Sequence, residues 1–166
     1  MWALALGLLA ALGAAASVSL ASSRALDDGC LVTSDAKGAV RISLRSGFVL
    51  GRFDSGQITV VDPTPADGVP PKVSVTGYEK GRPISETKST YIGDQVRFWA
   101  SGRTIISINA TGIYTSAVGK GIATLSATTF IQSLAGQFSV DSDSFCTADF
   151  QPMPDAAARF MIGGTP

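Results

Sequence analysis

Three short stretches carry residue types that could do chemistry. Gly119-Lys120-Gly121 sets a lysine between two glycines, the composition of a phosphate-cradling loop. Such a loop needs G-x-x-x-x-G-K-[ST] between a strand and a helix, so that backbone amides and the lysine converge on the phosphates. Here glycine follows the lysine and the spacing is wrong, so the stretch reads as a hairpin turn with a solvated lysine. Asp141-Ser142-Asp143, with Asp149 nearby, puts carboxylates two apart on a strand, where both point the same way, as a Ca²⁺ site would need. EF-hand spacing is absent, and the stretch reads as a polar strand end. Phe98 and Trp99 are neighbours and point to opposite faces of a strand, so one joins the core and the other is free to be exposed. An exposed Trp99 would be a ligand or carbohydrate platform, and a covered core residue is the alternative.

Histidine is absent from the chain. That removes the commonest general base and metal ligand, and excludes serine–histidine and cysteine–histidine catalysis in their usual forms. Linear order selects no pair among the thirteen acids for glycoside hydrolysis. Asn109-Ala110-Thr111 has the form of a glycosylation acceptor but sits inside an apolar alternation that predicts strand. The sequence therefore assigns no catalytic, cofactor-binding or metal-ligating residue, and no cofactor.

The 166 residues suffice for one targeting segment and one domain of roughly 140 residues. Lys plus Arg is 13 and Asp plus Glu is 13, so no bulk charge draws the chain to nucleic acid. Trp2 to Leu20 is uncharged and as a helix would reach about 28 Å, close to a bilayer core. Two readings fit residues 1–21: a secretory signal cleaved after Ala14-Ala15-Ala16 or Ser19-Leu20-Ala21, or an uncleaved membrane anchor. The first ionised side chain is Arg24, and a longer N-terminus would supply the basic residues that open a typical signal. Either way the domain is expected outside the cytoplasm. In that compartment the even pair Cys30 and Cys146 favours a disulfide, and no C-x-x-C suggests redox chemistry.

Residues 22–37 are polar and read as a linker, with the β domain at 38–166. Val40, Ile42 and Leu44 alternate with Arg41, Ser43 and Arg45 as a half-buried strand does. Gly47 to Phe53 and Gln57 to Val61 read as a hairpin about Asp54-Ser55-Gly56. Asp62 to Pro71 holds four prolines and reads as a surface loop. Lys72 to Tyr78 returns to strand with Val73 and Val75 inward. Beyond it, Gln95 to Ala100, Arg103 to Ala110, Ile113 to Val118, Gly121 to Ala127 and Gln137 to Asp141 read as strands. Turns at Ser101-Gly102, Thr111-Gly112, Gly119-Lys120 and Ala135-Gly136 separate them. Arg159 to Ile162 reads as an edge strand. The fold class expected is all-β: a single antiparallel β-sandwich or flattened barrel of about eight to ten short strands, preceded by one N-terminal hydrophobic helix.

The run Gly112-Ile113-Tyr114-Thr115-Ser116-Ala117-Val118-Gly119-Lys120-Gly121, with Leu125, Gly136 and Gln137-Phe138-Ser139-Val140-Asp141, resembles a segment of uncharacterised exported β proteins of high-GC bacteria. The resemblance implies a β fold and no activity, substrate or catalytic residue. The leading expectation is a non-enzymatic exported or envelope-tethered β domain with a structural or binding role, facing an envelope glycan or protein partner. The alternatives are a small envelope glycan hydrolase using paired aspartates, and a subunit of a membrane assembly anchored through residues 1–21.

Overall fold

The computed structural model describes residues 28–128 and 134–164. The expected N-terminal helix and residues 1–27 lie outside them. The all-β class holds. Among the described residues eight strands form one antiparallel sheet that does not close: β1 (Gly29–Val61), β2 (Lys72–Thr76), β3 (Lys80–Ser85), β4 (Lys88–Ser101), β5 (Thr104–Ala127), β6 (Gln137–Asp141), β7 (Gln151–Pro152) and β8 (Ala158–Ile162). The order is β2-β4-β1-β5-β8, with β3 on β4, β6 on β1 and β7 on β6. No helix among the described residues is long and apolar enough to cross a membrane.

The expectation of uniformly short strands is corrected. β1 runs 33 residues and β5 runs 24. The stretches read as turns at Asp54-Ser55-Gly56, Thr111-Gly112 and Gly119-Lys120 all lie inside these two strands. Residues 29–37, read as linker, are the beginning of β1.

β1 and β5 pair with each other twice. Residues 29–44 run against 119–104 in one ladder, and residues 38–61 run against 127–105 in the other. Extended, residues 29–44 would span about 50 Å. Yet Gly29 is opposite Gly119 and Leu44 is opposite Gly121, so this half of β1 is bent back nearly on itself. The sheet consequently curls around a single core of which Leu31, Ile42, Phe53, Ile58, Ile106, Ile113 and Leu125 are fully buried members. Each such side chain contributes about 1.5–3 kcal/mol of transfer free energy.

The burial pattern shows how one strand turns several corners without losing its core face. In β1 the side chains of the core cluster are Leu31, then Ala36, Val40, Ile42 and Leu44, then Val49 and Phe53, then Ile58 and Val60. Their parity switches from odd to even and back at each bend. In β5 it switches once, between Ala110 and Ile113, where Gly112 has φ 61°. In β4 it switches between Tyr91, which packs against the core, and Val96, across Gln95 at φ 57°. An extra residue at a bulge re-aims the side chains that follow and strengthens the local bend. A hairpin and a bend both break the alternation and both attract glycine, which is why the sequence alone suggests turns here.

One close crossing pairs Gly47 of β1 with Gly119 of β5. Both have positive φ, 121° and 146°. A Cβ on Gly47 would run into the Val118 carbonyl oxygen, and one on Gly119 into that of Ser46. The approach is reciprocal, so only glycine on both strands permits it.

Other expectations hold in outline. Residues 62–71 form a loop with a short 3-10 turn, Pro65–Asp67. β8 is the predicted edge strand. In β2, Val73 and Val75 share the core-side face as expected, opposite the buried Ala100 and Phe98; Val75 packs on the core and Val73 is 37% exposed.

Candidate functional site

The outer face of the sheet, away from the core, is built by the same alternation. On β1 it carries Phe48, Leu50 and Arg52; on β4, Arg97, Trp99 and Ser101; on β5, Tyr114, Ser116 and Val118. Register makes these into rows. Trp99, Leu50, Ser116 and Val32 lie side by side across four strand segments, and Arg97, Arg52 and Tyr114 form the next row. Trp99 is 46% exposed and Leu50 49%, whereas Phe98 is 5% exposed. The split expected for Phe98 and Trp99 is thus observed, with Trp99 outward.

Ser116 is short and stands between Leu50 and Val32, so the face dips into a groove of about 480 Å³. Thr33, Gly51 and Thr115 contribute to its lining together with Leu50, Tyr114 and Phe150. A Cβ on Gly51 would point inward, meeting the Phe98 ring at 2.7 Å and Thr115 Oγ1 at 3.0 Å. The lining is held at the adjacent bulge by Thr33, whose Oγ1 donates to the Ile113 carbonyl at 3.1 Å and accepts from the Thr115 amide at 3.0 Å. This bridges the ladder where its register shifts.

Two guanidinium groups stand at one end. Arg52 stacks over the Tyr114 ring, 4.3 Å from its centroid, and pairs loosely with Asp54 at 3.9 Å. Arg97 has no carboxylate partner among the described residues. No acidic side chain lines the groove.

Residues 142–150 bring Phe150 to the groove. The expected disulfide is present, joining Cys30 on β1 to Cys146 in this segment with 5.5 Å between their Cα atoms. Ser139 Oγ donates to the Ala148 carbonyl at 2.7 Å. Asp141 Oδ2 accepts from the Thr147 amide, the Thr147 hydroxyl and the Ala148 amide at 3.0–3.1 Å, and Oδ1 accepts from the Asp143 amide at 3.3 Å. The Thr147 hydroxyl, then the backbone amides, hold the Asp141 carboxyl below its ordinary pKa. Asp143 Oδ1 in turn accepts from the Phe145 amide at 2.8 Å. These carboxylates are occupied in folding their own loop. No cluster of three or more His, Cys, Asp or Glu side chains suited to a metal ion occurs among the described residues.

Lys120, read as a turn lysine, lies within β5 opposite Ser46 and is half-buried. Asn109 is exposed in mid-strand, opposite Gln57. Sequence reasoning found Trp99 and the two cysteines but missed Leu50, Arg52, Arg97, Tyr114 and Phe150. Their adjacency depends on the β1–β4 and β1–β5 registers, which no local motif encodes. No protein-family model, curated protein or solved structure matches the chain.

Proposed function

We propose that this is a non-enzymatic extracytoplasmic binding domain, released or tethered through residues 1–21, whose ligand face is the outer face of the sheet around Leu50 and Trp99. The carrying observation is that these two large apolar side chains, paired directly across β1 and β4, are both about half exposed beside a groove. An apolar face of this kind marks an interaction surface. The Cys30–Cys146 disulfide is compatible with an extracytoplasmic site. Within this reading the curled sheet is a flattened, open barrel serving as a rigid support, and the ligand is held by shape and burial.

The test is binding of an uncharged solvatochromic dye to the folded full chain. The native chain should bind it with a blue shift, and Leu50→Ser with Trp99→Ser should abolish the shift while leaving the unfolding midpoint nearly unchanged. Absence of dye binding by the native chain, or undiminished binding by the double variant, would overturn the reading.

A further inference from the structure

We infer that the groove beside Gly51 takes a single-chain amphipathic anion, with its alkyl or acyl chain along Val32, Leu50 and Phe150 and its phosphate, carboxylate or sulfate between Arg52 and Arg97. This rests on the binding reading above and specifies the ligand's chemistry.

The two ends of the groove differ in the way such a ligand does. Val32, Leu50 and Phe150 supply an apolar run, and Ser116 is short enough to leave it open. At the other end Arg52 and Arg97, at paired positions on β1 and β4, both line the groove, with no carboxylate in the lining. Guanidinium groups present fork-shaped donor sets that match phosphate and carboxylate oxygens. Arg52 is preorganised on the Tyr114 ring, so little of its freedom remains to be lost on binding. Asp54 touches Arg52 at the length of a weak ion pair and is not part of the lining, so an entering anion can compete with it.

The same features disfavour a sugar. Glycan sites need an open aromatic face surrounded by hydrogen-bonding side chains. The Tyr114 face is taken by Arg52, the exposed Trp99 stands beside the groove and not in its lining, and Val32, Leu50 and Phe150 make the other side apolar. A groove of about 480 Å³ also has room for a small ligand.

The experiment compares octyl phosphate, octyl glucoside and inorganic phosphate by calorimetry on the full chain, all below the micelle concentrations of the two octyl probes. Octyl phosphate should bind at least about tenfold more tightly than either of the others, because only it engages both ends. Arg97→Ala should remove most of that advantage and leave octyl glucoside binding unchanged; Arg97→Lys should restore part of it. Equal binding of octyl phosphate and octyl glucoside would overturn the inference while leaving an apolar binding face intact. Absence of binding of both octyl phosphate and octyl glucoside would overturn inference and reading together. Sedimentation with anionic phospholipid vesicles, without binding of monomeric octyl phosphate, would show a membrane-docking face in place of a single-chain groove, and would also overturn it.

Discussion

Arg52 and Arg97 stand directly opposite one another across the β1–β4 ladder, on the outer face of the sheet. Like charges at paired positions are unfavourable, by a few tenths of a kcal/mol to about 1 kcal/mol. A fold selected for stability alone has no use for the arrangement. In the unliganded chain, Arg97→Thr should therefore be neutral or stabilising by up to about 1 kcal/mol at low salt, an effect that added salt diminishes. Urea unfolding at two ionic strengths measures it. A loss of more than about 1 kcal/mol would show that Arg97 is structural and would weaken its assignment to a ligand.

The Gly47–Gly119 crossing separates steric contact from backbone conformation. Gly119→Ala must push Cβ into the Ser46 carbonyl as well as hold alanine at φ 146°, and should cost at least about 2–3 kcal/mol. Gly68→Ala shares a positive φ, 69°, but its Cβ meets nothing within 4 Å, so about 1–2 kcal/mol is expected. Unfolding midpoints of the two variants should rank accordingly. Equal losses would mean that the two strands can part at the crossing.

Asp141 predicts a local pH response. Its pKa is lowered in the folded chain, so the unfolded carboxyl protonates first as the pH falls. The stabilisation it gives the 142–150 segment is complete above the ordinary value of 3.8 and is lost as the pH drops below that, through the lowered one. Exchange protection of the Thr147 and Ala148 amides should fall in that window, ahead of the sheet amides. Asp141→Asn should reduce the protection at neutral pH and remove its acid dependence. With the Cys30–Cys146 bond intact the segment stays tethered, so reduction should deepen the effect.

Much of the fold was legible in the residues themselves. Val40-Ile42-Leu44 and Ile106-Ile108-Ala110 alternate cleanly, and both sets are buried. Cys30 and Cys146 were paired by compartment and parity alone. What could not be read was the continuity of β1 and β5. Asp54-Ser55-Gly56 and Gly119-Lys120 have turn composition, and a phase break in the alternation looks alike whether the chain reverses or bends. The decision is made by partners remote in sequence: Ser55 lies between Thr111 and Asp94, and Gly47 rests on Gly119. The groove was less legible still. Trp99 was visible as one of two neighbouring aromatics, but Leu50, Arg52 and Arg97 are brought together only by that long-range register.

Amide chemical-shift mapping would locate an amphipathic anion held in the groove on the outer face. Octyl phosphate would be titrated into the isotopically labelled full chain. Saturable shifts are expected, concentrated at Val32 to Ser34, Leu50 to Arg52, Arg97, Tyr114 to Ser116 and Phe150, with the 62–71 loop and β8 unmoved. Shifts centred elsewhere, or none at millimolar probe, would contradict binding in that groove.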